Sequence, residues 1–217
     1  MFTKAFFLFS IITATVADTW GPAFSLGPTA KNSAVIESET TFIPGLPPTN
    51  PQNALFLWPG VSNGTSGLIQ SGADQLQDQK AYCGANATQC VGGQKSGPLV
   101  PVQGTSEIYI HYKLASDQRT WDQTVMVGGK VISTLQSFDG PLIQGGWGTG
   151  TECQQNCRGT ISTQTYKNTK ITLSVADPNF KNTLGVGAGV QHTGLQTADG
   201  GKTWTVTQIT IPPYTAP

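Results

Sequence analysis

The stretch Ala-Leu-Phe-Leu-Trp-Pro-Gly-Val-Ser-Asn-Gly-Thr-Ser-Gly-Leu-Ile-Gln-Ser-Gly-Ala-Asp, residues 54 to 74, decides how this chain is read. Two short apolar runs, Leu55 to Trp58 and Leu68 to Ile69, flank a loop rich in Gly, Ser and Asn. Runs that short between turn residues predict buried strands of an all-β protein. Gln70 follows the second run directly, which puts an amide able to donate and to accept on a strand.

The same pattern continues outward. Ala34 to Ile43 carries β-branched residues and stops at Pro44. Glu107 to Leu114 alternates, with Ile108, Ile110, Tyr112 and Leu114 on one face and Tyr109 with His111 on the other. Trp121 to Val127 and Lys130 to Leu135 flank Gly128-Gly129, a two-residue hairpin signal. Lys170 to Val175 and Thr203 to Ile211 read as further strands, and Leu184 to Val190 as a weak one. Segments 74 to 104 and 144 to 158 read as long glycine-rich loops, which in compact domains are often functional. No helical period stands out beyond the N-terminus. The expectation is an antiparallel β-sandwich of about ten strands or more.

Met-Phe-Thr-Lys, an apolar run from Ala5 to Ile12 and small residues at Thr15-Val16-Ala17 form a secretory signal pattern. Residues 1–17 are therefore expected to be cleaved, leaving one domain, 18–217, outside the cell. Twelve basic and 12 acidic residues balance, so no polybasic groove for nucleic acid is expected. Four cysteines in an oxidising compartment predict two disulfides, with three possible connectivities. Proximity favours Cys83–Cys90 and Cys153–Cys157. Only two histidines, both distant from the cysteines, argue against zinc. Asn63-Gly-Thr and Asn86-Ala-Thr are glycosylation sequons. No cofactor, metal or membrane span is expected, and the chain is expected to be a monomer.

The order of elements resembles the fungal glutamic peptidases, the eqolisins. Their Ser-Gly-Thr-Phe-x-Val-Pro is similar to Ser38-Glu-Thr-Thr-Phe-Ile-Pro44 here. Their Ala-Trp-Val-Gly-Ile-Asp-Gly resembles Leu57-Trp-Pro-Gly-Val-Ser-Asn-Gly64, and their Leu-Gln-Thr-Gly-Val-Asp resembles Ile69-Gln-Ser-Gly-Ala-Asp74. Their catalytic glutamate in Asn-Ala-Glu-Trp would fall near Gly150-Thr-Glu-Cys153. The resemblance implies a concanavalin A-like β-sandwich (a jelly roll) and a secreted acid peptidase with Gln70 and Glu152 as catalytic dyad. The chain departs from the family in lacking a Glu-Trp-Ile-Val-Glu run and a Trp-Tyr-Glu-Trp-Tyr-Pro strand.

A carbohydrate-active or carbohydrate-binding sandwich is the competing expectation. Glu107, Asp117, Asp122 and Asp139 are then the acids available for glycosidic chemistry, although no pair among them can be nominated. Trp58 and Trp147 would stack on sugar rings, and Tyr109 with His111 would serve a lyase-type site. His192 falls in a turn-like stretch. No Gly-x-Ser-x-Gly elbow supports a serine nucleophile.

Overall fold

The computed structural model describes residues 19–48, 54–65, 67–76, 90–93, 100–154 and 157–216, with residues 90–93 as backbone. One sheet runs β14 (Gly185–Val186), β2 (Phe24–Leu26), β11 (Gly146–Gln154), β4 (Ala54–Ser62), β5 (Leu68–Leu76), β6 (Cys90–Gly93) and β7 (Val100–Pro101). The short β1 (Thr19–Trp20) also pairs with β11. The second sheet runs β10 (Lys130–Ser137), β9 (Trp121–Val127), β8 (Ile108–Leu114), β3 (Val35–Ile43), β13 (Gln164–Leu173), β16 (Thr203–Ile211) and β15 (Gln191–His192). A ribbon of β12 (Gly159–Ile161) and β17 (Tyr214–Ala216) completes the strands among the described residues. The helical content of those residues is one 3-10 turn, Phe180–Thr183.

The sheets pack face to face because each strand alternates. Leu55, Leu57 and Val61 of β4 and Ile108, Ile110 and Tyr112 of β8 are buried in the shared core. Deleting one such large side chain costs about 2–5 kcal/mol. Tyr112 and Gln164 carry polar atoms across the core and find partners there. Tyr112 Oη donates to the Pro59 carbonyl at 3.0 Å, and Gln164 Nε2 donates to Thr151 Oγ1 at 2.6 Å.

Segment 144–158 is not a loop. Residues 146–154 form β11, an inner strand between β2 and β4. Its inward set is Trp147, Thr149, Thr151 and Cys153, all buried, whereas Gly146, Gly148 and Gly150 take the outward places. Glycine at every second position leaves neighbouring groups room to lie against the strand. A Cβ on Gly150 would collide with the Trp58 indole, and one on Gly146 with the Leu26 carbonyl. The strand expected at 170–175 instead spans 164–173, with a register shift between Lys167 and Lys170 around Asn168, whose φ is +52°. Cys153–Cys157 is a disulfide with a Cα separation of 5.7 Å. The Cys83–Cys90 pairing, Asn86 and segment 1–17 lie outside the described residues.

Candidate active site

Side chains at even positions of β4, β5 and β11 share the outer face of the first sheet, because strand side chains alternate. The register aligns three rows there: Glu152–Phe56–Asp74, then Gly150–Trp58–Gly72, then Gly148–Gly60–Gln70. The middle row carries a single side chain. Trp58 therefore lies down across glycine, its ring against Gly150 and Gly60, and its Nε1 donates to Glu152 Oε2 at 3.0 Å. Gln154 Nε2 donates to the other oxygen, Glu152 Oε1, at 2.6 Å. Two donors on one acid hold its carboxyl group in a single orientation.

The row across from Glu152 explains the electrostatics. Asp74 is half-buried in the same row, and its carboxyl is pushed up to about 8, first by burial and then by the negative charge of Glu152. Two acids facing one another in low dielectric cannot both ionise readily. Asp74 was not singled out from the sequence, although its spacing of four from Gln70 already put it on the same strand face.

Gln70 and Glu152 share this face but not a row. Gln70 stands opposite Gly60 and, through it, Gly148, four residues along β11 from Glu152. That offset is roughly 13 Å along the strands and about 10 Å across them. The Trp58 ring lies between. Both residues are only 6% exposed, and Gln70 Oε1 has no hydrogen-bond partner among the described residues. The register therefore sets Glu152 and Asp74 in one row on either side of Phe56, and Gln70 in a row with glycines.

A cleft of about 510 Å³ adjoins this centre. Its floor is Gly60, Gly146 and Gly148, its walls include Trp58, Leu68 and Pro28, and none of its lining residues is titratable. Asn63 sits at its rim, with Oδ1 accepting from the amides of Thr65 and Gly67 at 3.2 and 3.3 Å. Trp58 lines the cleft and donates to Glu152, and so links the cleft to the carboxyl row.

The remaining sequence candidates lie elsewhere. Trp147 is a core residue, 2% exposed and edge-on to Phe24 and Tyr166, so its indole is no stacking platform. Tyr109 and His111 sit on the outer face of the second sheet, where Tyr109 Oη donates to Glu39 Oε2 at 2.6 Å and His111 Nε2 meets Glu37 Oε1 at 2.8 Å. Glu107 pairs with Lys167 at 2.9 Å. Asp122 accepts from Gln136, and Asp117 caps the turn amides of Arg119 and Thr120. Asp139 is exposed beside a separate small cavity. His192 Nδ1 accepts from the Gly194 amide, and its ring packs edge-on against Phe24.

This architecture is matched by a solved structure of SCP-B, a member of the eqolisin family of peptidases in complex with the tripeptide Ala-Ile-His. The match has a TM-score of 0.54 at 14% identity and covers 89% of this chain and 99% of that one. The fold is the eqolisin fold. Scytalido-glutamic peptidase, solved with a peptide-based transition-state analogue, matches over the same shares with a TM-score of 0.52 and 14% identity. No protein-family model and no curated protein matches the chain. Among the described residues, no helix is long and apolar enough to cross a membrane.

Proposed function

We propose that this protein is an extracellular peptidase built on the eqolisin fold, with Glu152 and Asp74 as its working carboxyl pair. The supporting observation is the row Glu152–Phe56–Asp74, in which one acid is fixed by two N–H donors and the other is pushed up to about 8. A carboxylate and a carboxylic acid facing one another supply a base and an acid at the same pH. Their strands stand about 10 Å apart with Phe56 of β4 between them, so a peptide amide and a water would lie over the Phe56 ring.

In the proposed reaction Glu152 takes a proton from water as the water oxygen bonds to the peptide carbonyl carbon. Asp74 gives its proton to the carbonyl oxygen, and a neutral gem-diol forms. Glu152 then passes its proton to the amide nitrogen and the C–N bond breaks. Asp74 recovers a proton from the gem-diol as the carbonyl re-forms, so both acids return to their starting states. Gln70 takes no part in these steps, being set in another row. The secretion proposed here is supported by the leader-like residues 1–17 and by the disulfide.

A second reading is favoured by one observation: the adjoining cleft has a glycine floor, an aromatic wall and no titratable lining. Such a surface also suits a neutral polysaccharide. Incubating the protein with denatured substrate protein at pH 4 to 6 separates the two. The peptidase reading requires new amino groups, lost about 10²–10⁴-fold in Glu152→Gln. New reducing ends from a polysaccharide, or binding without cleavage, would replace it with the second reading.

A further inference from the structure

We infer that Trp20, together with Trp58, forms a binding notch for a bulky apolar side chain of the substrate peptide, directly beside Glu152. The inference rests on the peptidase reading for what lies next to the notch, and it adds the specificity that reading leaves open. Trp20 is paired to Glu152 across β1 and β11, so its side chain rises from the same outer face as the acid. Its indole stands perpendicular to that of Trp58, with ring centroids 6.3 Å apart. A tryptophan normally buries its ring or ties up its N–H, yet Trp20 is 55% exposed. Trp58 differs, since its N–H is committed to Glu152 and its ring is held against glycine.

The shape decides the occupant. The two indoles touch edge to face, and the corner they form offers one ring face and one ring edge to a compact group set against it, the geometry that aromatic and branched side chains prefer. A sugar ring calls instead for a broad flat platform, which this corner does not present. Charge sets a second limit, to which the adjoining cleft adds no titratable group of its own for a substrate side chain to meet. Glu152, beside the notch, disfavours an acidic one. A peptide with Phe or Leu in the notch would thus be preferred over one with Ala, and both over one with Glu.

Binding is measured on Glu152→Gln, so that turnover plays no part, using capped heptapeptides with central Phe, Leu, Ala or Glu and tryptophan fluorescence as readout. The Phe peptide is expected to bind best, with affinity falling roughly tenfold when Trp20→Ala is added and mostly restored by Trp20→Phe. In the otherwise native protein, Trp20→Ala is expected to raise KM by a similar factor with a smaller effect on kcat. Equal affinity with and without Trp20, or loss in Trp20→Ala accompanied by a lower melting temperature in both Trp20 variants, would overturn the notch. So would quenching by neutral oligosaccharides in place of peptides. Tight, Trp20-dependent peptide binding by a native protein that cuts no peptide would sink the hydrolytic reading and leave the notch standing.

Discussion

The two outer faces of this sandwich treat their acids in opposite ways. On the second sheet, Glu37 and Glu39 are partly exposed and ringed by cations and donors. Burial pulls against Glu37, but hydrogen bonds from His111 and Lys113 hold its carboxyl below the usual range. Glu39 is lowered chiefly by the Tyr109 hydroxyl, with Lys170 adding to it. On the first sheet, burial first and then the charge of Glu152, two strands away, push Asp74 up to about 8. Charges that have been given partners stabilise a surface modestly, whereas an acid kept protonated near neutrality is a proton donor in waiting. The difference moves the search for chemistry away from the Tyr109–His111 pair and onto the Asp74–Glu152 row.

The largest consequence is in stability. Asp74 binds its proton more tightly in the folded chain, at about 8, than unfolded, at the ordinary 3.8. Its burial therefore costs nothing below about pH 4, and the cost grows as pH rises toward 8, by up to about 1.4 kcal/mol per unit. Asp74→Asn is expected to raise the unfolding free energy near neutral pH by a few kcal/mol and to flatten its fall between pH 4 and 8. Urea melts across that range check it, and an unchanged slope would erase the contrast between the faces. Glu37 and Glu39 carry the opposite sign, their contribution being lost only as pH falls through their lowered values.

A smaller effect is expected from Trp58→Phe, which keeps a ring over Gly150 but removes the N–H to Glu152. Activity on a peptide should fall about tenfold, the worth of one hydrogen bond to a charged group. Full activity would mean that Glu152 needs no fixing. Smallest is His111→Ala on the opposite face. Lys113 still reaches Glu37 at 3.3 Å, and both His111 and Glu37 are over a quarter exposed. Stability should drop by less than about 1 kcal/mol, with peptide hydrolysis unchanged. A large loss of activity would restore the second sheet as a site.

Much of the sandwich was legible because several strands carry an alternation strong enough to read alone. Residues 121–127 and 203–211 form strands at the expected bounds. β11 was unreadable for a physical reason: its outward places hold glycine, so no polar-apolar contrast survives around Trp147, Thr149 and Thr151. Mistaking that strand for a loop also hid the register. Without it Trp147 seemed free to stack on ligands, and nothing in the spacing could show that Glu152 stands across from Asp74 rather than Gln70. At β13, the left-handed Asn168 breaks the alternation and shifted the expected strand toward its C-terminal end.

The central claim is that Asp74 and Glu152 work as an acid and a base, and the pH dependence of kcat/KM on a peptide tests it most directly. The native protein should lose activity as pH rises through about 8, where Asp74 gives up its proton. Asp74→Asn, which cannot donate in the same way, should be strongly impaired and should lack that alkaline limb. An alkaline limb unchanged in Asp74→Asn, or activity retained at native levels, would contradict the account.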